Sequence, residues 1–357
     1  MRTSKMRKKV FVGLSGGVDS SVAALRLVQA GYDVVGVFIK VWQPDFLQCD
    51  WEAERLDAMR VAAALSIPFL TCDATERYKA DVVDYLIAEY DAGRTPNPDV
   101  MCNKHVKFGA FIDFADAHGA AYVATGHYAR AVSDNEQVSL YRGVDATKDQ
   151  SYFLWTLTRA QLARTLLPVG DTLKSAIRDE AARYGLPTAR KADSQGVCFL
   201  GQLDMKSFLQ HFIPRDEGAV EDETGTAIGT HDGARFYTIG QRHGFFVQAT
   251  AHSTQPYYVI AKDLARNVLV VSHEQPRTSR ADDAPLLLEA TNWIADELPE
   301  TCMAQTRYRQ QPVAASVVQT GENTATVTLH GVHDAPVSGQ SCVLYKDDQC
   351  LGGGIIT

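Results

Sequence analysis

Three small groups of residues in this 357-residue chain combine types that do chemistry. The first is Gly13, Leu14, Ser15, Gly16, Gly17, Val18, Asp19 and Ser20, which joins glycines to hydroxyls and one carboxylate. The second is Asn97, Pro98 and Asp99 with Cys102 just beyond, and the third is Cys198, which among Val197, Phe199 and Leu200 reads by itself as a buried core thiol, a preference that Arg190 and Lys191 nearby weaken slightly. A helix leaves its first N–H groups without partners and carries partial positive charge there, so phosphate oxygens settle at its start. Glycines before that turn let backbone approach the anion. Asp19 would repel phosphate unless a hard cation lies between them, so the sequence predicts Mg²⁺. The plainer alternative is a Ser- or Asp-capped helix after a glycine turn. Neither GxxxxGK[ST] nor GxGxxG is present, so the string belongs to another phosphate-binding class.

Something must hold these groups. Residues 10–13, rich in β-branched side chains, predict a strand leading into the glycines, and 22–27 predict the helix after them. Strands at 33–40 and 68–73 alternate with helices at 51–65 and 76–92, the pattern of a doubly wound parallel sheet that binds ligands beyond its carboxyl ends. Ile39 and Gly126 fall on that rim, and so does His127, whose plainer role is a satisfied core histidine. Pro96 and Pro98 stiffen residues 93–99. Asp99 is placed to cap a following helix, with Cys102 in its first turn, where the terminal field lowers a thiol pKa.

Residues 129–142 predict a β-hairpin. Lys148, Asp149 and Gln150 then lead into Ser151, Tyr152 and Phe153, a mixture suited to RNA phosphates and bases or to a simple helix start. Helices are expected at 173–184 and 203–212. Beyond Pro214 the pattern turns to short strands, including 235–239, 257–261, 268–271, 302–308, 313–319, 324–329, 341–344 and 354–356. The division expected is 1–212 for an α/β nucleotide-binding domain, 213–279 for a small central β-rich module and 280–357 for a C-terminal β-barrel.

Composition is ordinary for a globular chain, and no apolar run reaches the ~20 residues of a membrane span, so the expectation is a cytoplasmic protein with no membrane partner. Seven cysteines without a CxxC pair argue against zinc and against a disulfide framework. Net charge is −8, with 24 basic against 25 acidic residues before Met205 and 11 against 18 from it onward. Any nucleic acid must therefore meet local basic clusters, such as those around Arg242 or around Arg307 and Tyr308.

The phosphate loop resembles that of enzymes that split ATP into AMP and pyrophosphate, and the resemblance extends much further. GLSGGVDSSV, GRTPNPDVMCNKHVKF, ATGHYAR, KDQSYFL, DSQGVCF, GQRHG, TRYRQ, GQSCVLY and CLGGGII occur in the order found in bacterial tRNA-specific 2-thiouridylases, over nearly the whole chain. That resemblance implies an adenine-nucleotide-alpha-hydrolase-like domain and ATP as co-substrate. It also implies replacement of O2 by sulfur on the wobble uridine of tRNAs for Lys, Glu and Gln, and an upstream persulfide-carrying protein. Gly13 to Ser20, Ile39 and Gly126 would hold the nucleotide, and Asn97, Pro98 and Asp99 would meet the target base. Cys102 would be the nucleophile, Cys198 the persulfide carrier and Asp99 the proton-transfer group. His127, Lys148, Asp149, Gln150, Arg307, Tyr308 and Gln340 would contact tRNA. A transient disulfide between Cys102 and Cys198, or release of sulfide, would complete the transfer. Ile39 stands where the family has Met, His243 where it has Lys, and Gln195 where it has Thr. Two rivals remain at this point: an amidating synthetase acting on a small molecule, and a non-catalytic nucleotide-binding protein with an RNA-binding barrel.

Overall fold

The computed structural model describes residues 7–46, 51–134, 137–192, 203–248, 255–278 and 285–357. β1 (Lys9–Gly13) and β2 (Asp33–Lys40) pair in parallel, as do β2 and β3 (Phe69–Asp73), and β1 and β4 (Tyr122–Ala124). A two-residue strand, Thr165–Leu166, completes the sheet beside β4. It is too short to leave a pattern in sequence. Because the order runs β3-β2-β1-β4, the chain reverses its direction of winding between β1 and β4. That switch point opens a crevice at the carboxyl ends of both strands. β1 is apolar throughout because both faces are covered: Val10 and Val12 face one cluster and Phe11 the other.

α1 (Val18–Gln29) leaves β1 through Gly16, whose φ of +73° puts it in the left-handed region. α2 (Trp51–Ala64) packs over this turn so closely that a Cβ on Gly16 would lie 2.7 Å from the Glu54 carbonyl oxygen. The expected helix over 76–92 forms with a π-helical middle, Lys79–Asp84, and a second π stretch, Cys102–Ala110, interrupts the helical segment that starts at Pro98.

Two β structures follow. Five short strands between 218 and 272 form the central sheet. The expected strand at 235–239 is instead a 3₁₀ turn, Ala234–Phe236, entered through Gly233 at φ +135°. Six C-terminal strands close into a barrel when Leu286–Trp293 pairs with Gln349–Ile356. The hairpin Ala129–Asp134 and Gln137–Arg142 leaves the α/β domain and joins the barrel's sheet, with Tyr141 opposite Gln349 and Leu140 opposite Cys350. One continuous core then runs from Phe11 through Tyr237 to Tyr345. Among the described residues no helix is long and apolar enough to cross a membrane.

Candidate nucleotide and thiol site

The phosphate loop follows β1 directly. Gly17 caps α1 and contributes no side-chain hydrogen bond, so the first N–H groups of the helix are not consumed by a cap. The serines brace the turn instead: the Ser20 hydroxyl donates to the Gly17 carbonyl at 3.1 Å and accepts from the Ser15 N–H at 3.3 Å. The Ser21 hydroxyl donates to the same carbonyl at 2.7 Å. The geometry departs from the side-chain-capped alternative and leaves the start of the helix able to receive an anion. Gly126, at the end of β4, comes so near that a Cβ there would lie 2.6 Å from the Ser20 nitrogen. A side chain there would collide with the first turn of α1.

Asp19 is already answered. Lys174 places its ammonium 2.7 Å from both carboxylate oxygens, and the Tyr128 hydroxyl donates at 2.7 Å. Sequence reasoning missed Lys174, which lies 155 residues away. Among the described residues no group of three His, Cys, Asp or Glu side chains could hold a metal. The repulsion that suggested Mg²⁺ is relieved within the protein by Lys174, while an ion carried by a nucleotide would take most of its ligands from phosphate and water and needs no such group.

A cavity of about 310 Å³ opens at the switch point. Leu14, Phe38, Ile39, Val41 and Trp51 give it an apolar wall suited to a flat base, and Ser15, Asp19 and Ser20 form a polar end. Cys102, Val106, Lys107, His127 and Gln150 line the same space. Gly13 and Gly126 also border it, while Gly16, Gly17 and Val18 form the turn behind. Burial holds His127 well below its ordinary pKa, with Lys107 adding to the effect, and its Nδ1 lies 2.7 Å from the Thr125 hydroxyl. Gln150 is tied to the Tyr128 N–H at 2.9 Å.

The helical segment carrying Cys102 starts differently from the expectation. Asn97, not Asp99, is the cap: its Oδ1 accepts from the Asp99 and Val100 N–H groups at 3.2 and 3.3 Å. Pro98 occupies the first helical position, which suits it. Cys102 consequently lies in the second turn and is buried. The terminal field fades beyond the first turn, so it is not what activates this thiol. Burial raises the Asp99 pKa above 3.8 while Lys107 opposes the rise.

Loop 93–99 is held by all three parts of the chain. The Gln340 amide donates to the Thr95 carbonyl at 2.7 Å, and the Thr95 N–H to the Ser338 carbonyl at 2.9 Å. From the central sheet, Lys262 donates to the carbonyls of Gly93 and Tyr237, each at 2.7 Å, and burial pulls its pKa down to about 8.

A second cavity, of about 710 Å³, lies where the hairpin meets the barrel and is lined by Lys148, Asp149, Tyr308 and Arg309 among others. Asp149 is buried and fully engaged, accepting from Arg142 at 3.0 Å, from the Gly143 N–H at 2.9 Å and from Ser151. Arg307 donates to the Ile239 carbonyl at 2.7 Å, and the Tyr308 ring lies 4.4 Å from that of Phe153. Cys198 lies outside the described residues. The thiols of Cys72, Cys302, Cys342 and Cys350 are all pushed up by burial, the first two to about 11, which disfavours the reactive thiolate.

A parallel sheet with a phosphate loop at its switch point, a thiol in the same cavity and two appended β modules define a nucleotide-dependent α/β enzyme. Family models agree in outline: a tRNA methyl transferase HUP domain matches residues 8–202, a tRNA methyl transferase PRC-barrel domain 206–273 and an aminomethyltransferase β-barrel domain 284–356. The tRNA-specific 2-thiouridylase of Methylobacillus flagellatus is 43% identical over 99% of both chains. That of Idiomarina loihiensis is 42% identical over 99% of this chain and 97% of its own. The chain belongs to the tRNA-specific 2-thiouridylase family. Among solved structures, a 4-thiouridine synthetase in complex with RNA and ATP is 20% identical at a TM-score of 0.35, covering 58% of this chain and 50% of that one, too slight a likeness to argue from.

Proposed function

We propose that the enzyme makes 2-thiouridine in tRNA, at the wobble uridine of the Lys, Glu and Gln acceptors. O2 of a uracil is a poor leaving group. Its attack on the α-phosphate of ATP releases pyrophosphate into the seat at the start of α1 and leaves an adenylated base. Asp99, made more basic by burial, accepts the proton lost from the base. The terminal sulfur of a Cys198 persulfide then attacks C2 and AMP departs. The Cys102 thiolate attacks the Cys198 sulfur, breaking the sulfur–sulfur bond to the base. The product leaves as 2-thiouridine, and a disulfide joins the two cysteines. The transferred sulfur is reduced as the cysteines are oxidised. An external dithiol restores them, and an upstream persulfide-carrying protein reloads Cys198.

The observation that carries this reading is that Cys102 and the phosphate loop line one cavity. An amidating enzyme needs no thiol there. The test is incubation with ATP, a persulfide donor and unmodified tRNA, with nucleoside mass spectrometry as readout. Cys198→Ser should retain binding of ATP and tRNA and yield no 2-thiouridine in a single turnover. A wild-type yield from that variant would refute the assignment.

A further inference from the structure

The field of the helix terminus fades before Cys102 in the second turn, and the π-helical stretch Cys102–Ala110 offers a different charge. The Phe111 N–H bonds to the Val106 carbonyl five residues back, the π pattern. In an α-helix, at about 3.6 residues per turn, position 107 points well away from position 102. A turn closed by i→i+5 bonds brings the two onto one face. That face is part of the cavity wall: Cys102, Val106 and Lys107 line the same space as Ser15 and Ser20. A nine-residue π stretch is a costly irregularity, and such irregularities concentrate at functional sites. Its effect here is to put a lysine and a cysteine on one wall of the same cavity.

We infer that Lys107 is the counter-charge that holds Cys102 as a thiolate. The inference deepens the proposed function and rests on Cys102 being the nucleophile there. Among the described residues, the other ionisable groups that line the cavity do not supply this charge. Asp19 is paired with Lys174, and Glu54 is an acid that carries no positive charge in either form. His127 is kept uncharged by burial, and Asp99, on the same helical segment but outside the cavity lining, is an acid. The field of Lys107 reaches well into this space, since it acts on both Asp99 and His127. An opposite charge at about 4–6 Å lowers a thiol pKa by roughly one unit or more, enough to raise the thiolate fraction at neutral pH by about tenfold.

The test is alkylation of the full-length protein by iodoacetamide between pH 6 and 9, followed at the Cys102 peptide by mass spectrometry. Wild-type Cys102 should react with a midpoint below the ordinary thiol value of about 8.5. Lys107→Met should slow its alkylation at pH 7 about tenfold, whereas Lys107→Arg should stay within about twofold of wild type. Single-turnover thiolation by Lys107→Met should fall in parallel at pH 7 and recover toward pH 9. A wild-type midpoint at or above the ordinary value overturns the inference whether or not the variants fold. So does an unchanged alkylation profile in Lys107→Met, including the case in which only its KM for ATP rises. Normal thiolation by Cys102→Ser would instead sink the nucleophile assignment. That result is separate, because the alkylation profile does not depend on turnover.

Discussion

Asp99 illustrates how a single side chain sets stability against chemistry. Burial raises its pKa above 3.8, so the folded protein holds that proton more tightly than the unfolded chain does. The sign follows: stability falls as pH rises from about 3.8 through the folded value, and at neutral pH the ionised carboxylate is a net cost to the fold. Asp99→Asn should therefore raise Tm at pH 7, lose that advantage below the ordinary carboxyl pKa, and abolish thiolation. Thermal melts at pH 7 and pH 3 check the first two outcomes; an unchanged or lower Tm at pH 7 would show that the carboxylate is not under strain. Asp19 carries the opposite lesson. Lys174 and Tyr128 satisfy it within the protein, so its charge needs no bound metal. Asp19 was readable as part of a motif, but its partners come from the helix Lys174–Arg183 and the turn after β4, and no local spacing reveals them.

At the scale of elements, loop 93–99 is the piece on which the others converge. Sequence showed its stiffness through Pro96 and Pro98, and it showed that the loop opens a helix. It did not show that Gln340 and Lys262 hold the loop from two other parts of the chain. The Gln340 amide bonds to Thr95 and Pro96 are neutral and part-buried, worth about 1 kcal/mol, or about fivefold in an equilibrium. Gln340→Ala should thus raise the KM for tRNA about fivefold in tRNA-dependent AMP release and leave ATP binding untouched. A loss of ATP affinity of the same size would place the damage in the sheet. The π stretch at 102–110 is the second element that sequence concealed. The CNKHVKF run reads as an ordinary amphipathic helix, in which Lys107 and Cys102 face apart, and only the i→i+5 bonding reverses that reading. The strand expected at 235–239 failed for a similar reason: the alternation is there, but the left-handed Gly233 turns the chain before a ladder forms.

At the scale of the whole molecule, the hairpin Ala129–Asp134 and Gln137–Arg142 binds the α/β domain to the barrel. Arg142 lies at the seam. It pairs with Asp149 at 3.0 Å, donates to Gln305 at 3.1 Å and lies 3.6 Å from the Tyr345 ring centroid. Removing one partner of a buried ion pair leaves the other without compensation, at about 3–5 kcal/mol. Asp149→Ala should lower Tm accordingly in calorimetry, with the α/β domain and the barrel still melting together. Separate transitions would mean that the seam does not couple them.

The phosphate loop, the alternating strands and helices and the succession of short strands after Pro214 were all legible in the sequence, because each depends on local periodicity and on glycine and proline positions. The residues that surround the chemistry were not, because Lys174 at Asp19, Gln340 and Lys262 at the loop and the hairpin's place in the barrel are contacts between distant segments. Sequence alone set which side chains are able to react. Tertiary packing decided which charges face them, since electrostatic influence depends on separation in space and on the water excluded between groups, and neither quantity is written in the order of residues.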